Sequence, residues 1–159
     1  QLGAPEFTKE DHLYAQKYQD TLTRKDIESA YSNAGIDLVE GQVLAETVVA
    51  GDVKPADMGG STDVADVSWV VPTVSLWGAN YAIGTPFHSW QMTAQGKSSI
   101  AIKGMTHAAM VMAATGSDLI TNKKILADAW SEHNRTIKRD SYVSPISPSA
   151  SPPIKDMAR

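Results

Sequence analysis

The sequence predicts a helix-rich fold of the α/β class that carries less sheet than its helices need. Three observations lead there. The stretch 99–121 holds Ile100, Ile102, Met105, Ala109, Met112, Ala113 and Leu119 at the spacing of a largely buried helix. A second helical pattern follows, with Ile125, Leu126, Ala129, Trp130, His133 and Ile137 keeping a period near 3.6. Against these stand only two short strand candidates, residues 44–49 and 73–77. One or two strands cannot cover long apolar helices, so the missing sheet is expected from other polypeptide.

The elements follow in order. Thr8 reads as an N-cap before Lys9, Glu10 and Asp11, which places acidic groups at the positive end of the helix dipole. Leu13, Tyr14, Tyr18, Thr21 and Leu22 continue at helical spacing, so the helix is expected to run to about residue 22. A shorter helix over 26–33 should end at Gly35, a residue type suited to the position after a helix. Residues 36–58 lack periodicity apart from the first strand candidate and read as a long connection. Ser61 or Thr62 can cap a short helix holding Val64, Val67 and Val71, with Asp63 in its first turn and Pro72 as its stop. The second strand candidate is bounded by Pro72 and Gly78, and 78–85 is a loop by its Gly, Ala and Asn content. Gly104 and Gly116 weaken the long helix by about 1 kcal/mol each relative to Ala. Asn122 caps the helix after it. Pro145, Pro148, Pro152 and Pro153 then make residues 143–159 an extended surface tail, separate from a main segment of residues 1–142.

Composition narrows the function. A chain of 159 residues with 42% hydrophobic and 20% charged residues is an ordinary globular domain. The net charge of −4, with no basic block, argues against nucleic acid and against an anionic membrane surface as partners. No apolar run is long enough to span a bilayer, and the N-terminus has no signal-peptide pattern. The absence of cysteine removes disulfides, zinc ribbons and thiol nucleophiles, and fits a reducing, cytoplasmic setting. The chain starts at Gln1 rather than methionine, so a fragment or processed product is expected.

Several motifs fail on inspection. Gly59-Gly60-Ser61-Thr62-Asp63 is not a nucleophile elbow, because Asp63 stands where glycine is required. Gly96-Lys97-Ser98 is not a phosphate loop, because Gln91 takes the place of its first glycine. Asn134-Arg135-Thr136 has the form of a glycosylation sequon in a chain with no other secretory feature. Among the histidines, His12 and His133 read as surface or boundary residues of amphipathic helices, and His107 as a hydrogen-bonded core residue. His88 lies in the loop Gly84-Thr85-Pro86-Phe87-His88-Ser89-Trp90, just past a strand candidate, where site residues of α/β proteins gather. On residue chemistry it is either a loop histidine or a metal ligand. The chain has no His-x-Asp pair, no His-Glu-x-x-His helix and no adjacent Glu-Glu, so it presents no complete metal centre.

The run from Gly60 to Thr73, Gly-Ser-Thr-Asp-Val-Ala-Asp-Val-Ser-Trp-Val-Val-Pro-Thr, closely resembles a signature of the aminobenzoyl-glutamate hydrolase group. That group lies within the metal-dependent amidohydrolases and metallopeptidases, with carboxypeptidase G and the auxin-conjugate hydrolases. Thr85-Pro86-Phe87-His88-Ser89-Trp90-Gln91 is similar to the group's last metal-ligand loop, and Lys103-Gly104-Met105-Thr106-His107-Ala108-Ala109 to the start of the helix beyond it. The Pro-rich ending after Tyr142 is similar as well.

The resemblance implies the C-terminal part of a helix–sheet–helix catalytic domain of the zinc-peptidase type. It implies hydrolysis of amide bonds in N-acyl amino acids or dipeptide-like small molecules by two divalent ions, zinc or manganese. It gives His88 the role of final metal ligand, and gives Ser61, Thr62 and Asp63 the loop beside the substrate. No position here matches the other ligands or the general base. The chain is therefore expected to be inactive alone, its partner being the N-terminal part of the same domain or another chain, and the complete enzyme to be a homo-oligomer. The alternative is a non-catalytic accessory subunit, or a binding module for small acids at the Ser61–Asp63 helix start.

Overall fold

A computed structural model describes residues 2–49, 62–138 and 142–157. The chain divides into two compact units, one made of Gln1–Gly60 with Ser75–Thr121 and the other of Ser61–Val74 with Asn122–Arg159. The described residues form seven helices and no strand.

In the first unit, α1 (Lys9–Gln19) and α2 (Arg24–Ala34) start in the same way. Thr8 and Thr23 each accept a bond from the third residue of their helix, and Asp11 and Asp26 bond back to the cap backbone. Two orphan N–H groups are satisfied at each helix start, which is why these short helices hold. α1 stops at Gln19, earlier than its periodicity suggests, because the chain tightens: Thr21 N–H donates to Tyr18 O and Leu22 N–H to Gln19 O. Gly35 ends α2 in the left-handed region at φ 69°, the role expected of it.

Two more helices complete the unit: α4 (Trp90–Gln95), which the sequence pattern does not reveal, and α5 (Ser99–Thr121), found where expected. The core is small. Ala15, Val43, Leu44, Ala82 and Ile100 are buried together, with Phe7, Tyr14 and Tyr18 packed on them. Asp11 is also buried there, held by Lys103 at 2.6 Å. His12 bridges outward, its Nδ1 on Thr8 O at 2.8 Å and its Nε2 against Glu46 at 3.1 Å.

Several expectations are corrected here. Residues 44–49 form no strand; Leu44 is instead a core plug, and Val48 and Val49 are exposed. Residues 73–77 also form no strand. A ladder needs a second chain segment to receive its N–H and C=O groups, and none of the described residues supplies one. α5 is not largely buried: only Ile100 and Gly104 are buried, while Ile102, Met105, Met110, Met112 and Ile120 are exposed. The apolar face is there, and what would cover it is not among the described residues. His107 is half-buried, but its Nε2 is enclosed without a hydrogen-bond partner among the described residues, beside Pro5, Ile102 and Met110.

The second unit holds α3 (Val64–Val70), α6 (Lys123–Ile137) and α7 (Ile154–Met157). Asn122 caps α6 as expected, its side chain accepting from Lys124 and Ile125 N–H. His133, expected at the surface or boundary, is buried at 8% exposure with its ring edge-on to Trp130 at 5.5 Å. Three residues apart, the two are neighbours on one side of the helix, although Trp130 itself is exposed. Tyr142, just ahead of the Pro-rich tail, stacks on Trp69 and donates its hydroxyl to Asp66 at 2.8 Å. Residues 143–154 are exposed, and one helical turn, α7, follows Pro152 and Pro153.

No helix among the described residues is long and apolar enough to cross a membrane.

A histidine loop held by buried glutamines

The loop carrying His88 is built from its base upward. Gly84 sits at φ 91°, and a Cβ there would lie 3.0 Å from the Ile27 backbone. Both facts demand glycine. Thr85 follows, buried, with its hydroxyl donating to Ala82 O at 2.7 Å and its N–H to the same oxygen at 3.1 Å.

Gln95, at the end of α4, fastens this turn. Its side chain is 1% exposed; Oε1 accepts from Ala82 N–H at 2.8 Å and Nε2 donates to Thr85 Oγ1 at 3.0 Å. Gln19 does similar work from α1, donating to Gln42 O at 3.1 Å and Ile83 O at 3.3 Å. Buried amides cost free energy when unpaired, so satisfied ones define the turn sharply. Neither glutamine stands out in the sequence. The i,i+4 link from Gln95 Nε2 to Gln91 O is local, but the two bonds that matter cross to another loop and leave no sequence period.

Above this base, Ser89 starts α4: its hydroxyl donates to Pro86 O at 2.7 Å and accepts from Met92 N–H at 3.2 Å. His88 stands between base and helix. It is exposed, and it is the one non-glycine described residue with positive φ, at 58°. Histidine tolerates the left-handed region better than most residues, yet the conformation costs on the order of 1 kcal/mol. Such strain persists only where the surroundings impose it, and it clusters at functional sites. The imidazole makes no hydrogen bond to another described residue, and a neutral ring offers one nitrogen as an acceptor or ligand.

The substrate-side residues are placed separately, in the second unit. Thr62 Oγ1 accepts from Val64 N–H at 3.3 Å, and Asp63 occupies the N-cap of α3 without a side-chain capping bond. Asp63 thus holds the N-cap position, while the hydroxyl that bonds a first-turn N–H is that of Thr62. Ser61 lies outside the described residues. The structure therefore places His88 and the pair Thr62–Asp63 in different units, each defined by its own contacts.

Among the described residues, no three His, Cys, Asp or Glu side chains gather as a metal site would require. What these residues present is a single exposed imidazole on a loop braced from below.

The chain is similar to a subunit of p-aminobenzoyl-glutamate hydrolase. It is 37% identical, over 165 aligned positions and 97% of its length, to one of the subunits of p-aminobenzoyl-glutamate hydrolase from Escherichia coli (strain K12). It spans only 34% of the length of that relative. The resemblance read from the separated motifs is thereby shown along nearly the whole chain. No family profile matches the chain, and no solved structure matches it.

Proposed function

We propose that this chain forms part of the α/β catalytic domain of a two-metal amidohydrolase and contributes His88 as one metal ligand. The substrates are amide-bonded small molecules of the aminobenzoyl-glutamate type, N-acyl amino acids or dipeptide-like compounds. The observation that carries the reading is the backbone of His88. A strained, exposed imidazole braced from below by Gln95 is costly for folding and useful for ligation.

A two-ion centre does not fit the described residues alone, because they offer one donor where several are needed. The remaining ligands and the general base belong to other polypeptide, as does the sheet that the apolar face of α5 calls for. In such a centre, divalent ions, zinc or manganese, would supply water activation and polarisation of the amide carbonyl. What this chain contributes is position. His88 offers a neutral ring nitrogen, and the Gln95–Thr85–Ala82 bonds restrict where the loop can place it. Ser61, Thr62 and Asp63 are assigned to the substrate side of the site. The complete enzyme is read as a cytoplasmic homo-oligomer, and the relative's being named a subunit supports a partner chain.

The test is alanine at the position matching His88 in the full-length E. coli relative. Metal content and amide hydrolysis should fall together. Retention of both would remove His88 from the site and leave the accessory-subunit reading in its place.

A further inference from the structure

His12, in the first turn of α1, has an oxygen opposite each ring nitrogen. Nδ1 stands 2.8 Å from the Thr8 carbonyl and Nε2 stands 3.1 Å from the Glu46 carboxylate. A carbonyl and a carboxylate only accept, so both contacts need an N–H on the ring. A neutral imidazole has one N–H and would turn its lone pair toward the second oxygen. The geometry is therefore that of an imidazolium. Glu46 closes a segment that holds much else in place. Leu44 is fully buried in the core, Val43 O accepts from Ile83 N–H at 2.9 Å, and Gln42 O accepts from the Gln19 amide at 3.1 Å. Ile83 directly precedes Gly84, at the base of the His88 loop.

We propose that His12 is a pH-sensitive clasp: as an imidazolium it ties residues 42–46 to the start of α1, and through Val43 it steadies the base of the His88 loop. On losing its proton it releases Glu46, and that base loosens. The clasp acts on the loop itself and does not depend on what His88 binds. The charges around the ring set the sign. Glu46 faces it from the segment and Asp11 from its own helix, while Lys103 of α5 is already engaged by Asp11 at 2.6 Å. The Thr8 carbonyl first, and then the Glu46 carboxylate, raise the His12 pKa above the ordinary 6.5 and outweigh partial burial. A histidine whose pKa is higher folded than unfolded lends its full stabilisation below the unfolded value and loses it as pH rises through the folded one. The clasp is thus shut in mild acid and opens as pH climbs above 6.5. With 37% of the imidazole and 40% of the carboxylate exposed, protons reach the pair freely and solvent screens it, so the change is a loosening and not an unfolding.

Nitrogen NMR of the imidazole and backbone amide hydrogen exchange, both on the present whole chain, test this from about pH 5.5 to about 9. At pH 6.5 His12 should hold protons on both ring nitrogens in most molecules, and it should titrate above that pH. Protection of the Ile83 amide, corrected for the base catalysis of exchange, should fall severalfold as His12 titrates. Glu46→Gln should lower the His12 pKa and make Ile83 protection independent of that titration. A single protonated nitrogen on His12 at pH 6.5 overturns the proposal. So does Ile83 protection that ignores the His12 titration, or that follows it equally in Glu46→Gln, since the carboxylate would then tie nothing.

Discussion

Lys103 Nζ donates to Asp11 Oδ2 over 2.6 Å, tying the first turn of α1 to α5. The same carboxylate accepts from Thr8 N–H at 2.8 Å, so one side chain closes a capping box and anchors a tertiary contact. Asp11 is 4% exposed and Lys103 about a third exposed. A charge so enclosed depends on its partner. Lys103→Met should therefore lower the unfolding free energy by about 2–4 kcal/mol in urea melts. Asp11→Asn in the same background should recover part of the loss. A loss below about 0.5 kcal/mol would show the pair to be ornamental.

Acid should reveal the same contact. Burial alone would raise the Asp11 pKa, but the Lys103 ammonium, the Thr8 N–H and hydroxyl, and Ser99 outweigh it and lower the value to about 2 from an ordinary 3.8. A carboxylate with a depressed folded pKa contributes stability above its unfolded pKa and loses it as pH falls through the folded one. Here the window is pH 4 down to about 2, with at most about 2 kcal/mol at stake. Melts across that window should show a steeper loss for the natural sequence than for Asp11→Asn. Parallel curves would assign the acid sensitivity to other carboxylates.

Two glycines of α5 should respond in opposite directions. Gly116 has open space around its missing Cβ, so Gly116→Ala should gain up to about 1 kcal/mol from helix propensity. Gly104→Ala gains the same propensity but drives a methyl into the backbone of Ala79 and Asn80. It should lose about 1–3 kcal/mol. Thermal unfolding of the two variants side by side decides this; equal gains would mean that the helix and the 78–80 segment do not touch.

His88→Gly separates folding from function. Glycine takes φ 58° without strain, so the variant should be as stable as the natural chain or more stable by about 1 kcal/mol. Full-length protein carrying the matching change should nonetheless lose metal. A clear fall in stability would mean that the imidazole supports the fold rather than a ligand.

What the sequence discloses and what it hides divide along one line. Thr8, Thr23, Gly35 and Asn122 set helix ends through bonds spanning a few residues, and three of these four ends are legible from residue type and spacing. The exception is Thr23, since α2 begins at Arg24, two residues ahead of the expected start at Asp26. Residues 73–77 have strand composition, yet a strand exists only with a neighbour, and composition cannot supply one. α5 reads as buried for the same reason: its face is apolar, but burial is decided by what lies opposite. The position of His88 in a loop is legible, whereas its left-handed backbone and its bracing by Gln95 arise from contacts between segments.

The most direct test of the central claim is metal stoichiometry and amide turnover of this chain purified alone, with zinc or manganese supplied. The account predicts fewer than two tightly held ions per chain and no hydrolysis of an N-aroyl amino acid. Two firmly coordinated ions together with turnover would contradict it, because every ligand would then have to lie within these residues.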